Sequence, residues 1–135
     1  MNSYDSAIAD IKQSLGFVPE FLAKFPASAL PGAWKEFKNV EASRDTAIAP
    51  KYKSLIGLAV AAQIPCKYCI IADTEFARAD GATDAEIGEA VAMAGLVRHW
   101  STWLNGTQVS ETTFKKDVDA IVAGAKKAQK SASLK

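Results

Sequence analysis

This sequence predicts an all-α protein, a compact bundle of about seven helices that assembles as an oligomer. Three observations support the prediction. Every long segment repeats its apolar residues at helical spacing, and no run alternates with period two. Prolines, glycines and capping residues fall where short connections between helices belong. Small residues crowd two of the predicted helices, Gly57, Ala59, Ala61 and Ala62 on one and Ala90, Ala92, Ala94 and Gly95 on the other, so helix backbones can pack closely.

The first predicted helix runs from Ser3 to Leu15, with Tyr4, Ile8, Ile11 and Leu15 on one face. Pro19 opens a short second helix through Glu20, Phe21 and Leu22, which stops before Pro26. Pro31 opens the third, with Trp34, Phe37 and Val40 as its buried stripe. Ala49-Pro50 is a break. The fourth, Lys51 to Gln63, is apolar nearly all round and so predicts a central, buried helix. Pro65 ends it and starts the fifth, Cys66 to Ala79, which Asp80-Gly81 closes. Thr83-Asp84-Ala85-Glu86 is a capping box that starts the sixth, running towards Leu104 until Asn105-Gly106 ends it. Ser110 caps the seventh, through Phe114, Val118, Ile121 and Val122. Residues 1–130 read as a single domain without linker or repeat, and 131–135 as a frayed tail.

The 135 residues suffice for one real core, and 49% apolar with 23% charged is an ordinary globular balance. A net charge of +1 gives no field that would gather nucleic acid or anionic lipid. Lys126, Lys127, Lys130 and Lys135 read as a solvated tail. No apolar run is long enough to cross a bilayer, and the polar, acidic stretch from Met1 to Asp10 is not a signal peptide. The expectation is a cytoplasmic protein. In that compartment a Cys-x-x-Cys is more often catalytic or metal-binding than a structural staple.

The only two cysteines stand in Pro65-Cys66-Lys67-Tyr68-Cys69. Pro65 puts Cys66 in the first turn of a helix, where unpaired amides and the helix dipole favour a thiolate. Cys69 lies one turn further on the same face, so the two sulfurs can meet. On dipole grounds Cys66 is the more activated thiol. A thiolate attacks peroxides and disulfides, and a second cysteine converts the oxidised sulfur into a resettable disulfide. Two other readings stand beside that one. Buried cysteines can be inert small apolar residues. A zinc site would need two further ligands, and only His99 and scattered carboxylates are on offer. His99, the one histidine, sits between Arg98 and Trp100 and reads either as a packing residue or as a proton carrier. Trp34, Trp100 and Trp103 read as core or subunit-interface anchors. Nothing in the sequence implies a cofactor.

The stretch from Lys53 to Cys69, with Gly81-Ala82-Thr83-Asp84-Ala85-Glu86-Ile87 after it, resembles the AhpD-like alkylhydroperoxidases within the carboxymuconolactone decarboxylase family. Arg98-His99-Trp100-Ser101-Thr102 and Leu104-Asn105-Gly106 resemble a small-protein branch of it. The resemblance implies an all-α fold assembled as trimers or hexamers. It implies a peroxidase reset by a thiol or dithiol reductant, with Cys69 attacking the peroxide and Cys66 resolving. That assignment reverses the dipole ranking, because in the family a proton relay prepares the attacking thiolate.

The relay is where this chain departs from the family. The family's glutamate, twelve residues before the first cysteine, is here Ser54. Its histidine, four residues after the second cysteine, is Asp73, and the histidine that some members carry between the cysteines is Tyr68. Serine is a poor base at neutral pH, and an ionised aspartate beside a thiol raises the thiol's pKa. Two substitutes are foreseen: His99 as the base, or Tyr68 as a donor to a leaving oxygen. Two other functions compete. A lactone or keto-acid lyase of the decarboxylase branch would use Arg98 to hold a carboxylate and His99 as acid or base. A non-enzymatic, redox-regulated oligomer would use neither.

Overall fold

The structure, a computed structural model, describes residues 3–134. Among the described residues there are seven α-helices, one π-helical turn and no strand: α1 (Ser3–Leu15), α2 (Glu20–Ala23), α3 (Leu30–Glu36), the π-turn (Phe37–Glu41), α4 (Pro50–Gln63), α5 (Lys67–Ala79), α6 (Asp84–Thr107) and α7 (Glu111–Ser133). The predicted all-α class holds. The chain divides into two compact units, residues 1–91 and 92–135, and α6 begins in one and ends in the other.

The core of the first unit is where α1 meets α3. Ala7 and Ile11 of α1 and Leu30 and Trp34 of α3 are buried together, with Tyr4, Ile8, Val18, Leu22 and Phe37 packed around them. The stripe expected on the first helix therefore points inward, except that Leu15 at its end is exposed. Trp34 stacks on Phe37 with ring centroids 5.4 Å apart. The indole N–H donates to Asp10 Oδ2 at 2.7 Å, and the Lys38 ammonium donates to the same oxygen at 2.6 Å. The one polar atom of the Trp34 ring thus has a partner, which burial of an indole requires.

The third helix departs from its prediction after Glu36. The backbone widens into a π-turn, closed by Ala42 N–H donating to the Phe37 carbonyl at 2.9 Å. The looser winding breaks the stripe, and Val40, expected in the core, is exposed. Lys53 of α4 donates its ammonium to the Val40 carbonyl and, at 2.9 Å, to the Ser43 carbonyl, tying the turn to α4.

α4 begins at Pro50 and packs against α5; Ser54, Leu58 and Ala61 are buried on α4 and Ala77 on α5. It is not buried all round. Tyr52, Ile56, Val60 and Ile64 are each more than half exposed and follow one another at four-residue spacing, so an apolar stripe remains open. The composition of α4 marked it as buried, whereas the unit covers only one of its faces. Ile64–Pro65 is a cis peptide.

The punctuation after α5 is as expected. Gly81 adopts φ +90°, its N–H donates to the Arg78 carbonyl at 3.0 Å, and Ala82 N–H donates to the Ala77 carbonyl at 2.9 Å. This is the paired closure in which a left-handed residue, glycine at lowest cost, satisfies the last carbonyls. Thr83 and Glu86 then cap α6 reciprocally. Glu86 N–H donates to Thr83 Oγ1 at 3.1 Å, and Thr83 N–H donates to Glu86 Oε2 at 2.8 Å. Lys51 bridges to Glu86 Oε1 at 2.9 Å and pins this cap to α4.

In the second unit α6 runs through Asn105-Gly106 to Thr107, past its predicted end. Asn105 turns its amide back onto the Ser101 carbonyl at 2.7 Å instead of breaking the helix. The stop is Gln108, at φ 56°. Ser110 Oγ accepts from Thr113 N–H at 3.2 Å and opens α7, which stays helical to Ser133.

Candidate active site

Pro65 ends one helix and Cys66 begins the next, not as its first turn but as its N-cap, with extended backbone (φ −128°, ψ 97°). Cys66 and Cys69 are joined by a disulfide, with Cα atoms 5.3 Å apart. Cys66 Sγ also accepts a hydrogen bond from Cys69 N–H at 3.1 Å, so sulfur fills the place that serine or aspartate oxygen usually takes at a helix start. The spacing prediction that the two sulfurs meet is met in the strongest form. The N-cap position adds to the dipole argument for Cys66, whose sulfur faces one of the orphan amides of α5.

Both cysteines are half-buried, on the helix that packs against α4. Ser54, at the place of the family's glutamate, is buried on α4. Asp73 lies one helical turn beyond Cys69 and reaches across to α4. A Cβ added to Gly57 would stand 2.6 Å from Asp73 Oδ2 and 2.9 Å from Oδ1. The absence of a side chain at Gly57 is therefore the notch that admits this carboxyl. Burial holds the Asp73 carboxyl above the ordinary aspartate value. An aspartate here keeps its proton more readily than an exposed one, which softens the repulsion expected between Asp73 and a thiolate.

A residue outside the sequence reading joins them. Glu41, the last residue of the π-turn, has its carboxyl held above the ordinary value, first by burial and then by the negative charge of Asp73. Glu41 is exposed as a residue, while its acid group is partly withdrawn from water and feels the charge of Asp73. No local motif marks a lone glutamate so far upstream. The one available signal was the mismatch of an aspartate opposite a glycine on a helix otherwise lined with apolar and small residues.

Tyr68 points outward, 75% exposed, with the Lys67 ammonium 5.3 Å from its ring centroid. His99 belongs to the second unit. It is exposed, meets Trp100 edge-on at 5.2 Å, and lines an open hollow of about 650 Å³ along α6 with Arg98, Thr102 and Trp103. The tryptophans divide: Trp34 is a core anchor, while Trp100 and Trp103 are exposed. Among the described residues no three His, Cys, Asp or Glu side chains gather as a metal-binding group.

The chain is all-α, with a disulfide at the start of α5, and comparison gives the family. The model of the carboxymuconolactone decarboxylase family matches residues 28–112, and the chain belongs to that family. The crystal structure of the alkylhydroperoxidase AhpD core from Rhodospirillum rubrum is similar to it with a TM-score of 0.70 and 26% identity, over 84% of this chain and 87% of that one. No curated protein matches the chain.

Proposed function

We propose that this protein is a CxxC-dependent peroxidase, acting on hydrogen peroxide or organic hydroperoxides and reset by a thiol or dithiol partner. The observation that carries the reading is the Cys66–Cys69 disulfide at the start of α5, in a chain of this family. Reduced Cys69 gives up its proton, and its sulfur attacks one peroxide oxygen. The S–O bond forms as O–O breaks, two electrons pass from sulfur to oxygen, and the alcohol or water leaves with a proton. Cys66 then attacks the sulfenic sulfur, the S–S bond forms, and water leaves with the Cys66 proton. A dithiol reductant becomes a disulfide as it restores both thiols.

The role of Cys69 as attacker follows the family resemblance. The cap position favours Cys66, and the two assignments separate experimentally. Stopped-flow oxidation of the reduced protein by hydrogen peroxide and by an organic hydroperoxide is expected to exceed that of a free thiol. Cys69→Ser is expected to abolish it, and Cys66→Ser to leave a sulfenic acid that dimedone traps. Abolition by Cys66→Ser with trapping in Cys69→Ser would reverse the roles. Oxidation at the free-thiol rate, together with lactone or keto-acid turnover that survives loss of both cysteines, would move the function to the Arg98–His99 hollow of α6.

A homo-oligomer, trimeric or hexameric, accompanies this reading. The open α4 stripe of Tyr52, Ile56, Val60 and Ile64, together with Ile71 on α5, is more apolar surface than a monomer ordinarily leaves to water. Light scattering or analytical ultracentrifugation tests it, and a monomer at micromolar concentration would remove it.

A further inference from the structure

We infer that Glu41 and Asp73 together form the proton relay of Cys69, replacing the family's absent glutamate and histidine with a pair of carboxyls. The inference rests on the peroxidase reading and adds to it a residue, Glu41, drawn from outside the CxxC helix pair.

Three features of the first unit bring the pair to the sulfur. Asp73 stands four residues after Cys69, on the same face of α5. Gly57 leaves the gap on α4 into which the Asp73 carboxyl fits. Lys53, one turn before Gly57 on α4, clamps the carbonyls of Val40 and Ser43, and so holds the end of the π-turn, where Glu41 sits, against the same stretch of α4. The π-turn has a function in this arrangement, since its extra residue per turn carries Glu41 to that edge.

Two carboxyls that face one another do not both ionise readily, and the first proton to leave makes the second harder to remove. Burial acts in that direction on both groups here, and the negative charge of Asp73 adds to it on Glu41. The charged group on the neighbouring segment of α4 is Lys53, whose ammonium is engaged by the two backbone carbonyls; Ser54 and Gly57 bring no charge. A pair holding one proton can do both halves of the reaction. Its carboxylate takes the proton from Cys69 Sγ, and its acid gives a proton to the oxygen that leaves when O–O breaks. After one turnover of proton in and proton out, the pair is in its starting state.

The test is peroxide oxidation of reduced protein, wild type beside Glu41→Gln and Asp73→Asn, followed across pH. Each variant is expected to slow oxidation by about 10- to 100-fold, within the usual reach of acid–base catalysis. The double variant is expected to be no slower than the worse single one, because one relay is lost only once. In wild type the acid limb of the rate profile should follow the carboxyl titration of the pair measured by carbon NMR, and that limb should vanish in either variant. Glu41 is exposed, so Glu41→Gln keeps the fold, and circular dichroism confirms it. Fast wild-type oxidation with both variants within twofold and the limb unmoved would overturn the relay and leave the peroxidase standing. Wild-type oxidation no faster than a free thiol would overturn both.

Discussion

Asp10 and Asp73 are the same residue in two opposite environments, and the contrast separates the packed core of the first unit from the surroundings of its disulfide. Asp10 accepts from the Trp34 indole and the Lys38 ammonium, and those donors, Lys38 foremost, hold its carboxyl below the ordinary value. Asp73 lies in a notch between two helices, and burial holds it above. The first carboxylate is fixed in its charged form beside a packed aromatic core. The second keeps its proton more readily, one turn from a disulfide sulfur. Two donors hold the first in its charged form, and burial favours the protonated form of the second.

The largest effect should come from the stabilising side. Trp34→Ala removes a buried ring and the donor to Asp10, and is expected to cost about 3–5 kcal/mol of unfolding free energy in urea denaturation. In the fraction that stays folded, peroxide kinetics should not change; a parallel loss of oxidation rate would break the separation. On the reactive side, Cys69→Ser should reduce oxidation at least about a hundredfold, some 2.7 kcal/mol of barrier, with little change in unfolding midpoint of the reduced protein. Gly57→Ala comes next. Its methyl group would meet the Asp73 carboxyl and displace it, so oxidation should fall by roughly tenfold, about 1.4 kcal/mol, although both acids remain. An unaltered rate would mean that the notch does not position Asp73.

The smallest effects have opposite signs, and they sharpen the contrast most. A carboxyl held low contributes stability that is present above its unfolded value and fades as pH falls through the folded one. Asp10→Asn should therefore lower Tm near neutrality and matter less in acid. A carboxyl held high behaves the other way, since its stability is full below the unfolded value and is lost as pH rises through the folded one. Asp73→Asn should raise Tm near neutrality, by about 2 °C, and do nothing at a pH well below the aspartate range. Calorimetry of both variants at two pH values decides it, and shifts of the same sign would dissolve the distinction.

What could be read from the sequence was whatever a few adjacent residues decide. The Cys66–Cys69 spacing, the Thr83–Glu86 box, the Gly81 closure and the Ser110 cap each follow from local backbone chemistry, and each stands where it was expected. The misreadings share a different cause. Val40 and the π-turn depend on Lys53, which approaches from another helix. Asn105-Gly106 has the composition of a helix stop, yet Asn105 finds the Ser101 carbonyl within its own helix. The α4 stripe is apolar for a surface that a single copy of the first unit does not cover. Glu41 gave no signal because the charge that acts on it, Asp73, belongs to another helix, and a glutamate near a helix end is, in sequence, only a solvated charge.

The hydrogen bond from Cys69 N–H to Cys66 Sγ has a use beyond chemistry. That amide proton is hydrogen-bonded to a sulfur of the Cys66–Cys69 pair, so its resonance frequency should report whether the pair is a disulfide or two thiols. A nitrogen-15 spectrum would follow the protein's redox poise through a single peak, with no dye, no label on sulfur and no perturbation of the equilibrium being read.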